Sequence, residues 1–231
     1  MNQVAVVLYW WGDWPEDRPA YGERYVANVL RGLKIHTSVP NDVFLFSDNS
    51  KYKSYANSSF PILPMSKEFE QMRWNFKKLY MFSFESCLGG YEWVVCLDLD
   101  IALVGNIDFL LNHRSGSLMT CQAAYSEDIG GSIIGFNPQM YWTKDIVDTL
   151  RMRKGFLEQK LKGSERKFYR WAVDNKVIPE VQYWQWQYPG RITSYKLNGG
   201  PSEDTAIVRF HGRPRPHEVL ETESWMPGVW I

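Results

Sequence analysis

No sign of charge predominates in this 231-residue chain: Lys+Arg and Asp+Glu both number 26, and no basic tail or stripe stands out. That balance argues against nucleic acid as the main partner. Cysteine is scarce, with Cys87, Cys96 and Cys121 odd in number, lacking any CxxC spacing, and two of them in apolar stretches. Reduced thiols in a cytoplasmic protein are expected. No segment approaches the roughly 20 apolar residues that span a bilayer, so no transmembrane segment is expected. "MNQVAVVLYWWGDW" has no positive start and only a short apolar run, and reads as a first strand rather than a secretion signal. Repeats, low-complexity tracts and obvious linkers are missing too, which leaves one domain as the simplest expectation.

What is present in quantity is apolar and aromatic. Hydrophobic residues make up 45% of the chain and aromatics 16%, including eleven Trp, enough for a sizeable core. Aromatics in "YWWGDW" and "YWQWQY" also suit stacking on sugars or bases, although core is the safer role for any one of them. "VAVVLYW" (4–10) and "DVFLFSD" (42–48) are continuous apolar runs of the kind found in strands covered on both faces. Between them Val26, Val29, Leu30 and Leu33 recur at helical spacing. Phe69, Met72, Phe76 and Leu79 predict a second helix ending near Gly89-Gly90, followed by the strand "WVVCL". "SIIGF" (132–136) predicts a further strand, and Ile146, Val147 and Leu150 a helix after Asn137-Pro138. This alternation implies an α/β fold with a mostly parallel sheet flanked by helices. Residues 155–205, rich in charge, aromatics, Gly and Pro, give no clear assignment.

The densest chemistry is in residues 93–108, "WVVCLDLDIALVGNID". In an extended chain residues i and i+2 project to the same side, so Asp98 and Asp100 converge while Leu99 turns away. They follow an apolar strand, and open α/β sheets take ligands at the carboxyl ends of strands. Two adjacent carboxylates in a partly dry site repel each other, and a divalent cation removes that objection. The plainer alternative is that both aspartates end the strand in solvent.

"VVCLDLDIALVGNID", with "WNFKKLYMF" upstream and "RFHGRPRPHEV" near the end, resembles the GT-A-fold glycosyltransferases that carry a DxD motif, in particular the glycogenin and bacterial galactosyl- and glucosyltransferase branch. The resemblance runs through most of the chain. It implies one domain over 1–231, with a nucleotide-binding half (1–110) ending in DxD and a sugar and acceptor half (111–231) carrying the last metal ligand. The implied activity is metal-dependent transfer of a hexose from a nucleotide-diphospho sugar, UDP-linked or alternatively GDP-linked, to a glycan, lipid or protein acceptor, with a lean towards retention. Mn²⁺ or Mg²⁺ would be held by Asp98, Asp100 and His211, with Asp98 also reaching the ribose.

The resemblance implies further roles. Arg213 or Arg215, beside Gly212, would hold the diphosphate, and Lys78 would lie near the donor phosphates unless it is one of two solvated lysines at 77–78. Leu8 and Tyr9 would receive the base, Asp48 would accept from base or ribose, and Arg24 would reach the nucleotide unless it is a surface arginine. Gly131 and Ser132 replace an asparagine-containing segment and would let the sugar approach the backbone. Glu165, in "GSERKF", matches by spacing an Asp-Gln segment near the reaction centre and is the candidate catalytic residue; a helix-surface charge is its plainer role. "VVCLDLDIAL" also looks like the nucleophile loop of haloacid-dehalogenase-type phosphatases, with Asp98 as nucleophile, but Ala102 stands where those carry Thr or Val. A non-catalytic nucleotide or sugar binder is the third possibility.

Overall fold

The computed structural model describes residues 3–10, 22–47, 62–72, 74–83, 87–125 and 128–230. Val4–Trp10 forms β1, and all seven of its residues are buried. The period of two divides them: Ala5, Val7 and Tyr9 join one hydrophobic cluster, whereas Val4, Val6, Leu8 and Trp10 join another. A strand with apolar groups on both faces needs cover on both sides, and this sheet has it.

β1 pairs in parallel with β2 (Asp42–Ser47) on one side and β4 (Trp93–Leu97) on the other. With β3 (Ile62–Pro64), β6 (Leu118–Thr120), β7 (Ile133–Phe136) and β8 (Val181–Tyr183), they form a seven-stranded sheet in the order β3-β2-β1-β4-β7-β6-β8. β7 runs antiparallel to both β4 and β6, so the sheet is mixed, with its other pairings parallel. A second sheet places β5 (Ile101–Leu103) and β9 (Ile192–Ser194) on either side of β10 (Ile207–Arg209).

α1 (Glu23–His36) buries Tyr25, Val26, Val29 and Leu33 in the second of the two clusters, the one shared with β5 and β10. The predicted helix through Phe69 and Leu79 is instead a short α2 (Lys67–Glu70) followed by a 3₁₀ helix, Trp74–Phe82. The reason lies in the burial: Lys78, Leu79, Tyr80, Met81, Phe82 and Ser83 are all buried, so the segment has no solvent face around which an amphipathic α-helix would form. In the tighter helix Phe76, Leu79 and Phe82 line up every third residue. α3 (Asp108–Leu111) follows β5. The helix expected after Asn137-Pro138 is α4 (Tyr141–Leu161), with Ile146, Val147 and Leu150 buried. The unassigned 155–205 stretch contains the end of α4, then α5 (Glu165–Asp174), β8, α6 (Trp184–Gln187), β9 and α7 (Tyr195–Asn198). Among the described residues no helix is long and apolar enough to cross a membrane, and Cys87, Cys96 and Cys121 are free thiols.

Candidate active site

β4 ends at Leu97, and the Asp98 amide continues its pairing by donating to the Ser132 carbonyl at 2.8 Å. Leu99 is buried, while Asp98 and Asp100 both line a cavity of about 370 Å³. The opposite wall comes from the far end of the sequence. β10 runs beside β5, and the Phe210 amide donates to the Asp100 carbonyl at 3.0 Å, which brings His211 to the same cavity. Gly131 and Ser132 enter from the start of β7, Glu165 and Arg166 from the start of α5, and Asn75 from the 3₁₀ helix. Residues far apart in the chain thus meet at the carboxyl end of β4, where a sheet of this kind presents its ligand site.

Two electrostatic regions result. On one side Lys78, only 5% exposed, donates to Asp98 and to the Gly131 carbonyl at 3.3 Å, with Glu165 Oε1 3.7 Å away. Burial works to lower the Lys78 pKa, but the Asp98 and Glu165 carboxylates outweigh it and hold the ammonium protonated. Desolvation pushes the Asp98 carboxyl up from the usual carboxylate range; the Asp100 and Glu165 charges add to that shift and Lys78 opposes it. One ammonium is therefore shared among acids that repel each other. Lys78 positions Asp98 from behind and does not line the cavity.

On the other side the charge is positive. His211 is pushed down to about 4 by burial and by the Arg209, Lys196 and Arg166 cations, so its imidazole is neutral at physiological pH. Its Nε2 is buried without a hydrogen-bond partner. Arg209 is 4% exposed, donates from Nη1 to the Gln122 carbonyl at 3.1 Å and to Ser132 Oγ at 3.2 Å, and leaves Nε unpartnered. Among the described residues no carboxylate forms an ion pair with it. A buried guanidinium without an anion is costly, and an anionic ligand relieves that cost.

The other expected site residues are placed as follows. Glu165, for which a helix-surface position was the plainer expectation, is 4% exposed at the start of α5 and faces the cavity. Gly131 has a packing reason: a Cβ there would stand 2.6 Å from Glu165 Oε1. Ser132 and Gly212 line the cavity, but Arg213 and Arg215 do not. Arg213 is exposed and lies 3.7 Å from Glu218, whose carboxylate also accepts from the Arg215 amide at 2.7 Å. Leu8 and Tyr9 are buried in β1, with Tyr9 stacked on Phe46 at 5.4 Å, and neither borders the cavity. Arg24 is exposed on α1, and Asp48 lies outside the described residues, as does most of the loop "WWGDWPEDRPAYG".

Arg209, Arg166, Asn75 and Tyr125 were not anticipated and line the same cavity. For Arg209 a signal existed: it closes β10 two residues before His211, and alternate residues of an extended chain project to the same side. The donor set of two carboxylates and a neutral imidazole with an unpartnered buried nitrogen suits a borderline divalent ion such as Mn²⁺. Asp98 is held by Lys78, and as they stand the described residues contain no group of three or more His, Cys, Asp or Glu side chains placed to hold a metal ion.

No protein-family model matches the chain, and a search of curated proteins found no match. Among solved structures, the chain is similar to the crystal structure of the glycosyltransferase GlyE in Streptococcus pneumoniae TIGR4, with a TM-score of 0.66 and 13% identity over 100% of this chain and 60% of that one. The apo form of the same glycosyltransferase aligns with a TM-score of 0.60 and 14% identity over 93% of this chain and 56% of that one. The chain thus spans little more than half the length of those proteins. At such identity the likeness establishes the architecture alone, an α/β sheet flanked by helices like that of those structures.

Proposed function

We propose that this chain is a metal-dependent glycosyltransferase that moves a hexose from a nucleotide-diphospho sugar to an acceptor hydroxyl. The supporting observation is the meeting of Asp98, Asp100 and His211 at one cavity of a glycosyltransferase fold. In this reading those three side chains hold Mn²⁺, or Mg²⁺ in its place, with Asp98 kept in position by Lys78. When bound, the ion supplies Lewis-acid stabilisation of charge on the departing diphosphate. Arg209 donates from its unpartnered Nε to a phosphate oxygen, and Arg166 and Lys196 add positive potential on the same side. That assigns to Arg209 the role the sequence pattern gave to Arg213 or Arg215.

Glu165 lines the same cavity and its Oε2 is buried without a partner; in this reading it accepts a hydrogen bond from a donor or acceptor hydroxyl. Transfer with retention requires no protein base, whereas an inverting reaction would recruit Glu165 as one. The donor is a UDP-sugar, with a GDP-sugar as the alternative. The test is release of nucleoside diphosphate from UDP-glucose, UDP-galactose and GDP-mannose with and without Mn²⁺. Metal-dependent turnover that is lost in Asp100→Asn and His211→Ala supports the reading. Nucleotide binding without turnover of any donor would make the protein a binder, and metal-independent turnover would remove the metal from the mechanism.

A further inference from the structure

A second cavity of about 300 Å³ adjoins the first, and its chemistry is different. Thr193 and Ser194 of β9, Gln122, Gln185 of α6, and Leu197 and Asn198 of α7 line it. Ala123, Ala124 and Arg209 border both cavities, so the two are neighbours across one thin wall. Among the described residues no acid lines the second cavity, and Arg209 is the one charged residue there.

We infer that this second cavity receives the acceptor of the transfer proposed above, and that the acceptor presents neutral carbohydrate hydroxyls. The inference rests on the glycosyl-transfer reading. Ser194 is 3% exposed, and its Oγ and the Thr193 Oγ1 are buried without partners. Hydroxyls left that way are costly, and a ligand able both to donate and to accept satisfies them. Gln185 Oε1 accepts from the Gln122 amide at 3.1 Å, and Asn198 Oδ1 accepts from the Ser194 amide at 3.1 Å. Each side chain is thereby oriented with its NH₂ group left to donate. Amides and hydroxyls match the mixed donor and acceptor character of sugar hydroxyls.

Other acceptor classes fit less well. A cationic peptide finds no carboxylate in the described lining, and a phosphorylated or carboxylated ligand finds only Arg209, which the donor diphosphate takes in the proposed reading. Ile192 and Leu197, the latter 56% exposed, give a narrow apolar strip suited to the C–H face of a sugar ring, too small for an acyl chain. A volume of about 300 Å³ lies at the small end of ligand sites, the size for one or two sugar units. In the reaction the acceptor oxygen bonds to the anomeric carbon of the donor. The bond from that carbon to the diphosphate oxygen breaks, its electron pair stays on the nucleoside diphosphate, and the acceptor proton passes to that oxygen.

The experiment is saturation-transfer NMR on the full chain with UDP and Mg²⁺, which is diamagnetic. Its ligands are neutral oligosaccharides ending in glucose, galactose, mannose or N-acetylhexosamine, set against sialyllactose, glucose 1-phosphate and a Ser/Thr-containing peptide. The expected result is a signal from a neutral oligosaccharide that falls at least about fivefold in Gln185→Ala and in Leu197→Glu, since an amide hydrogen bond or rim contact of about 1 kcal/mol is lost. Leu197 is exposed, so that variant folds; thermal melting checks both. Signals from the charged ligands or the peptide alone, a neutral signal indifferent to both substitutions, or no signal from any ligand would overturn the inference. Calorimetric titration of the unmodified chain with UDP and GDP in Mn²⁺ reads the donor site separately: binding there with a negative NMR result condemns the acceptor site alone, whereas its absence condemns the glycosyl-transfer reading itself.

Discussion

Replacing Lys78 with methionine keeps most of the side chain's reach and removes its charge. The ammonium is buried against Asp98, with Glu165 3.7 Å away, and Asp100 is the next acid along the same strand end. Removing one member of a buried ion pair leaves the other uncompensated, typically at about 3–5 kcal/mol. The Asp98 side chain is 24% exposed, so water offsets part of the loss and the lower end applies, about 3 kcal/mol. For a chain of this size that corresponds to a fall in Tm of roughly 6–12 °C, read by differential scanning calorimetry of the metal-free protein. Mn²⁺ added to the variant should recover part of the loss, because a dication neutralises the same acids and binds only the folded chain. A fall below about 2 °C, the scale of a solvent-exposed pair, would refute the claim that Lys78 holds the acidic cluster together.

Arg209→Met should separate stability from binding. It removes a buried cation that pairs with no carboxylate among the described residues, so the melting temperature should hold or rise while affinity for a nucleoside diphosphate falls at least about tenfold by calorimetry. Loss of stability with unchanged affinity would contradict the phosphate role. Gly135→Ala places a Cβ 2.6 Å from the Trp184 ring and 2.8 Å from the Trp93 ring, and overpacking of this kind costs about 1–3 kcal/mol, visible as a lowered urea midpoint. An unchanged midpoint would show that the two indoles yield freely. Asp108→Ala should cost about 1–2 kcal/mol, because its carboxylate accepts from the Ser38 amide at 2.8 Å, the Ser38 hydroxyl at 2.5 Å and Asn106 at 2.9 Å. Slight burial works to raise the Asp108 pKa, but these bonds outweigh it and lower the value. Its contribution is therefore present above the unfolded carboxyl pKa and is lost as pH falls through the depressed one; a difference between wild type and variant that persists at the lowest pH would contradict it.

The strand pattern was legible because burial on both faces leaves a continuous apolar run, as in β1 and in "WVVCL" of β4. α1 and α4 were legible from apolar spacing, since each has one face to bury. The 3₁₀ form of the segment through Lys78 was not, because the spacing of Phe69, Met72, Phe76 and Leu79 reads as an α-helix, and the buried charge is explained only by acids distant in sequence, Asp98 and Glu165. In the site, strand parity put Asp98 and Asp100 on one side and the resemblance joined His211 to them; all three line one cavity, although the chain bends at Leu99 and Asp100 instead of continuing the strand. Arg209 went unanticipated because Arg213 and Arg215 stand in a more conspicuous stretch. Glu165 had no local mark of burial, since its environment comes from Gly131 and Lys78. Asp108, at the end of "GNID", ties the chain before β2 to α3.

The central claim is a divalent-ion and diphosphate site built from Asp98, Asp100, His211 and Arg209. Isothermal titration of the full chain with UDP and with GDP, with and without Mn²⁺, and repeated on Asp100→Asn, tests it most directly. The account predicts binding of one nucleotide that requires Mn²⁺ and disappears in the variant. Failure of both nucleotides to bind, or binding indifferent to Mn²⁺ and to the substitution, would contradict it.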